Sequence, residues 1–150
     1  MAHTFTNLLY HIVFSTKERE PLIRDTWKSE LYAYLGGIVR NERGILLQAG
    51  GTADHVHLLL KLPASVAVAD MLRLIKANSS KWVNESGMSP GAFAWQTGYG
   101  AFSVSESQAP AVDRYIQNQV DHHRGQSFQE EFVALLQRHG VVFDPRYLWD

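Results

Sequence analysis

Residues 54–62, Asp-His-Val-His-Leu-Leu-Leu-Lys-Leu, constrain the fold more than any other stretch of the chain. Side chains alternate across a β-strand. Val56, Leu58, Leu60 and Leu62 therefore share one face and demand a packed layer. His55, His57, Leu59 and Lys61 share the other. Two residues along a strand span ~6.6 Å, so the two imidazoles stand side by side and can converge on one ion. Neutral imidazole is the commonest metal-ligating side chain. The alternative is a pair of polar residues on the solvent side of an amphipathic strand. The leucine face accounts for the packing by itself, which leaves the histidines available for another task.

The neighbouring segments say what surrounds this strand. Residues 5–15 are aromatic and β-branched and predict a buried strand. After Pro21, a helical pattern runs through Trp27, Leu31, Tyr34, Leu35 and Ile38, with Gly44 in the stop position. Residues 45–49 and 54–62 are separated by Gly50-Gly51, which predicts a hairpin turn there. Ser65 is placed to cap a second helix whose stripe is Val68, Met71, Leu72, Ile75, Ser79, Trp82 and Val83. A weaker strand falls within 92–105. Pro110 stands near the start of a third helix running to about Arg124, before Gly125. Ser127-Phe-Gln-Glu is a capping-box pattern opening a last helix that ends at Gly140. The order β-α-β-β-α-β plus two additional C-terminal helices predicts an α+β, ferredoxin-like (RRM-like) antiparallel sheet in a single domain spanning 1–150. One sheet face takes the crossover helices; the other is open unless the added helices cover it.

Composition matters mainly for what it excludes. The absence of cysteine rules out disulfides, thiolate metal sites and cysteine nucleophiles. No apolar run approaches the ~18 residues of a membrane span, and Met1-Ala2-His3-Thr4 lacks the start of a signal peptide, so a cytoplasmic location is the default expectation. A net charge of −1 means that any phosphate-binding surface is local. Between 61 and 90, Lys61, Arg73, Lys76 and Lys81 outnumber Asp70 and Glu85, whereas the last 26 residues set Arg138 and Arg146 against Glu130, Glu131, Asp144 and Asp150.

In the third helix Tyr115 and Gln119 are four apart and stack on one face. Val112, Ile116 and Val120 form the expected packing stripe. From spacing alone Tyr115 is a half-buried aromatic at the edge of that stripe. His123 continues the Tyr115–Gln119 row, and His122 and His123 read as solvated or as complements to the helix dipole.

With both segments in view, the chain resembles the single-tyrosine IS200-like transposases of the smallest insertion sequences, within the HUH nuclease superfamily, over nearly its full length. The resemblance is carried by His55-Val56-His57 within Asp54–Leu60, by Tyr10-His11-Ile12-Val13-Phe14-Ser15-Thr16-Lys17, and by Asp113-Arg114-Tyr115-Ile116-Gln117-Asn118-Gln119. Phe128-Gln129-Glu130-Glu131-Phe132 and His139-Gly140-Val141 add to it. It implies that His55, His57 and Gln119 bind Mg²⁺ or Mn²⁺ and that Tyr115 attacks a DNA phosphate, leaving a 5′-phosphotyrosine link and a free 3′-OH. The implied substrate is single-stranded DNA with hairpins, met at the nucleoid. The implied assembly is a homodimer with exchange of the tyrosine helix.

Asp54 is a further expectation, as a partner of a ligating histidine. Arg73, Lys76 and Ser80, on one face of the second helix, are expected to track a phosphate backbone, although a solvated face explains them as well. Three rival readings stand beside the transposase. One is a domesticated relative acting on repeated palindromes. Another is a non-catalytic RRM-like nucleic-acid binder, which would need aromatic side chains on the open face. The third, a hydrolytic metal enzyme, would need a carboxylate near the ion, and strand alternation turns Asp54 away from the histidine face.

Overall fold

The computed structural model describes residues 3–149. Residues 1, 2 and 150, on which the N-terminal and terminal-charge readings partly fall, lie outside the described residues. Strands β1 (Leu8–Ser15), β2 (Ile45–Thr52), β3 (His55–Leu62) and β4 (Gly100–Val104) form an antiparallel sheet in the order β2-β3-β1-β4. Helix α1 (Lys28–Asn41) joins β1 to β2, and α2 (Val68–Ser86) joins β3 to β4. Three further helices follow: α3 (Ala109–Gln117), α4 (Gln119–His122) and α5 (Phe128–Arg138). This is the expected α+β order with β1 and β3 central.

The leucine face behaves as its period requires. Val56, Leu58, Leu60 and Leu62 of β3 and Ile12 and Phe14 of β1 pack against Leu31, Leu35, Ile38 and Val39 of α1 and Met71, Leu72, Ile75 and Val83 of α2. Each such side chain contributes ~1.5–3 kcal/mol by leaving water. On the other face, Val13 and Phe102 meet Phe128, Phe132, Leu135 and Leu136 of α5. That face is therefore covered, and His55 and His57 have no exposed surface.

Local details depart from the sequence reading. The hairpin turns at Ala53-Asp54, and Gly50-Gly51 lies inside β2. A Cβ on Gly50 would lie 2.2 Å from the carbonyl oxygen of Ile116. The glycine serves the close approach of α3, not a turn. At the end of α1 it is Arg43 that takes the left-handed conformation (φ 64°), while Gly44 packs against Val39. Ala67, not Ser65, precedes α2, and no side chain caps it. Val68 and Trp82 are only half-buried, the latter stacking on Tyr34 with centroids 4.6 Å apart. The first strand begins at Leu8, with Phe5 exposed. The third helix breaks at Asn118, whose non-helical backbone separates α3 from α4. The break turns Val120 out to 52% exposure and Gln119 inward, so the stripe Val112–Ile116–Val120 does not persist.

Candidate metal centre and nucleophile

The covered histidine face creates a problem that only partners can solve, because buried polar groups without them are costly. Strand β3 delivers His55 and His57, helix α4 delivers Gln119, and the turn after it delivers His123. The buried face of α5 delivers Glu131. His55, His57, His123 and Glu131 present ligand atoms that all lie within 4.8 Å of one another. Glu131 Oε1 is 2.9 Å from His57 Nε2, 2.9 Å from His123 Nε2 and 3.5 Å from His55 Nε2. Gln119 Oε1 is 3.0 Å from both His55 Nε2 and His123 Nε2.

Counting protons shows what this cluster is built for. The carboxylate of Asp54 accepts from His55 Nδ1 at 2.7 Å, and the Gln126 carbonyl accepts from His123 Nδ1 at 2.6 Å. Each of those rings has therefore placed its proton on Nδ1 and, when neutral, turns a bare Nε2 lone pair toward the centre. His57 has the same option, with its Nδ1 2.8 Å from His11 Nε2. Burial first, and then the charges of neighbouring histidines, push His11 down to about 3. Burial also pushes His57 down to about 4 against the pull of Glu131, so both rings are neutral at pH 7. Gln119 Nε2 donates to Glu131 Oε2 at 3.0 Å, which fixes the amide with its oxygen inward.

Three imidazole nitrogens, an amide oxygen and a carboxylate oxygen thus face one point, all of them acceptors. Their spacings resemble the ~3.0 Å edges of a coordination shell with bonds of ~2.1 Å. The residues fit a divalent cation. Without one, a proton on His123 relieves the crowding. Burial opposes that proton, but the hydrogen bond to Glu131 outweighs it and raises His123 above its ordinary value.

Glu131 is the hub. Burial works against its charge, but with no cation between them His123 and His57 carry protons on Nε2 and, with Tyr115, donate hydrogen bonds that hold it well below the usual carboxylate range. A cation would take the place of those two protons. Its place in the first turn of α5 adds favourable amide dipoles. The Tyr115 hydroxyl donates to Glu131 Oε2. Burial, then that hydrogen bond, pushes the phenol up, so the resting tyrosine is protonated and aimed at the cluster. Its ring lies 5.8 Å from His57 and 6.0 Å from His11, within the same chain.

The expected residues are thus distributed as follows. His55, His57, Gln119 and Tyr115 meet at one place. Asp54, in the turn before β3, reaches back to His55 despite strand alternation, with Thr52 Oγ1 donating to its Oδ1 at 3.0 Å. Arg73, Lys76 and Ser80 line a separate groove with Trp95 and Tyr99. Lys76 is committed there, donating to the carbonyls of Gln96 (3.0 Å), Thr97 (3.1 Å) and Gly98. Burial pushes it down to about 8. Lys76→Ala should cost about 1–3 kcal/mol through the released carbonyls of 96–98, read as a lower denaturation midpoint.

His123 and Glu131 were not assigned to the site from sequence, nor was His11. A carboxylate within the histidine cluster, the feature required of a hydrolytic enzyme, is present as Glu131. Glu131 had a legible signal: it falls within the buried face of the last helix, with Phe128, Phe132 and Leu135.

An RRM-like sheet with a His-hydrophobic-His strand facing a helix-borne tyrosine defines the single-tyrosine HUH class. The family model described as "Transposase IS200 like" matches residues 4–119. The transposases for insertion sequence element IS200 of Salmonella typhimurium and Salmonella typhi are each 31% identical to this chain over 130 residues, spanning 81% of it and 82% of theirs. The chain belongs to the IS200-like transposase family. Two solved structures share the fold. A Deinococcus radiodurans protein assigned as a transposase superposes with a TM-score of 0.63 at 24% identity, over 79% of this chain and 95% of its own. A REP-associated tyrosine transposase bound to a REP hairpin gives 0.61 at 14% identity, over 82% and 72%. Among the described residues no helix is long and apolar enough to cross a membrane.

Proposed function

We propose that this transposase cleaves and rejoins single-stranded DNA at hairpin-bearing element ends. Tyr115 attacks a backbone phosphate to give a 5′-phosphotyrosine link and a free 3′-OH. The observation that carries the reading is the convergence of five acceptor atoms beside the Tyr115 hydroxyl. Substrate DNA is inferred from family membership and from the hairpin held by the REP-associated neighbour.

His55, His57, His123 and Glu131, with Gln119, would hold the cation, and Asp54 orients His55. A nitrogen-rich donor set favours Mn²⁺ over Mg²⁺. When bound, the cation stabilises charge on the phosphate and orients in-line attack. Glu131 Oε2 aims the phenol. A phosphotyrosine conserves the energy of the broken bond, so rejoining by the 3′-OH needs no ATP. Arg73 and Ser80 remain candidates for backbone contacts from the α2 groove; Lys76 is held by its carbonyls. The setting is the cytoplasm, at the nucleoid.

The test is incubation with labelled single-stranded hairpins from the flanks of the gene, with Mn²⁺. A covalent adduct is expected that is lost with chelator and in Tyr115→Phe. An adduct that survives Tyr115→Phe contradicts the proposal. Cleavage to a free 5′-phosphate with no adduct would instead favour the hydrolytic reading that Glu131 makes chemically reasonable. Hairpins flanking both ends of the gene would mark a mobile copy and distinguish it from a domesticated one.

The homodimer with an exchanged tyrosine helix, implied by resemblance, is not needed to complete the site, since Tyr115 meets Glu131 and His57 of its own chain. Mixing Tyr115→Phe with His57→Ala protein should therefore restore no adduct. Restoration to about a quarter of the wild-type level, the share of correctly mixed sites in a randomised dimer, would establish exchange.

A further inference from the structure

A cavity of about 540 Å³ opens beside Tyr115, bounded by β4, α3 and the end of α5. The metal cluster uses little of it. Tyr115 and His11 form part of its wall, so it is continuous with the proposed reaction site. Its volume lies within the ~300–1,000 Å³ typical of pockets that hold one small organic ligand.

The lining has two characters. Val112 and Leu135 supply apolar surface, and His139 lies flat on Phe102 with centroids 4.2 Å apart and planes 21° from parallel, a planar face fit for stacking. Arg138, exposed at the end of α5, supplies a cation at the cavity edge. It stands three residues after the buried Leu135, so the helix fixes it over the cavity. An apolar slot with an aromatic face and a guanidinium at its edge suits a base with its phosphate attached.

We infer that this cavity seats the nucleotide adjoining the scissile phosphate, its base against Val112 and the His139–Phe102 stack and its backbone phosphate on Arg138. This rests on the proposed function. Seating one nucleotide would fix the strand on one side of Tyr115 while the metal cluster fixes the phosphate.

The test uses the full chain and a short fluorescein-labelled oligothymidylate, with affinity read by anisotropy across a salt series. Val112→Trp fills the cavity from a half-buried position and should weaken binding roughly tenfold, the scale of one stacked base. Arg138→Gln should weaken it severalfold and flatten the log affinity against log salt slope by ~0.7, the share of one phosphate on a single strand. Thermal unfolding and Mn²⁺ titration should match wild type in both. Wild-type affinity and salt slope in both variants would overturn the inference. If Val112→Trp fails to fold, an unchanged slope in Arg138→Gln overturns it alone. Displacement of the oligonucleotide by equimolar thymidine monophosphate would also overturn it, as the mark of a free-nucleotide site. A wild-type protein that forms its Tyr115 adduct while these variants bind normally refutes only the cavity. A wild-type protein that forms no adduct refutes the strand-transfer reading itself.

Discussion

Glu131→Ala is expected to reduce Mn²⁺ affinity by at least about 10–100-fold, the range seen even for partners one step removed from a metal. Adduct formation should fall by a further factor. The reason is that one carboxylate does two jobs. Its Oε1 lies 2.9 Å from His57 Nε2 and from His123 Nε2, and its Oε2 accepts from Tyr115 and, at 3.0 Å, from Gln119. Removing it takes away the only negative charge among the converging atoms and frees the phenol. Glu131→Gln keeps the volume but not the charge, and should fall between. Calorimetric titration of Mn²⁺ checks the first effect and adduct yield at saturating Mn²⁺ checks the second. Wild-type affinity in Glu131→Ala would remove the residue from the ligand set.

Gly50→Ala is expected to lower adduct yield by about 10²-fold while leaving Mn²⁺ bound, because an error of ~1 Å at a reacting group has that cost. The added Cβ would lie 2.2 Å from the Ile116 carbonyl oxygen, in the residue after Tyr115. Helix α3 must move, and it carries Tyr115, the proposed nucleophile. Gly50 pairs with His57 across the sheet but adds no side chain to the cluster. Positioning and ligation are therefore separable here: the variant should titrate Mn²⁺ like wild type and fail in strand cleavage. Equal loss of both would mean that β2 and β3 distort together.

Gly50 also shows why part of the molecule was hidden from sequence reading. A glycine pair between two apolar runs matches a hairpin turn, and nothing local reveals that a helix far along the chain crosses over it. The two faces of β3 were legible because period-two alternation is local, and so was the capping box of α5, where Ser127 Oγ accepts from the Glu130 amide at 3.2 Å. The row Tyr115–Gln119–His123 was visible too, but its last member read as a dipole complement. The break at Asn118, which turns Gln119 inward, is a tertiary outcome. Glu131 left a trace that composition obscured: an acid on the buried face of an amphipathic helix requires partners, and those partners are on β3, α3, α4 and the turn after α4. The His11–His57 contact depends on the pairing of β1 with β3, which the strand order implied but which no motif pointed to.

The most direct measurement of the central claim requires no knowledge of the DNA sequence. Mn²⁺ titrated into the full chain and followed by electron paramagnetic resonance should show one ion bound per chain, with nitrogen couplings from imidazole ligands. His57→Ala should abolish that signal. Absence of a bound ion, or an unchanged spectrum in His57→Ala, would contradict the assignment of this cluster as the metal centre beside Tyr115.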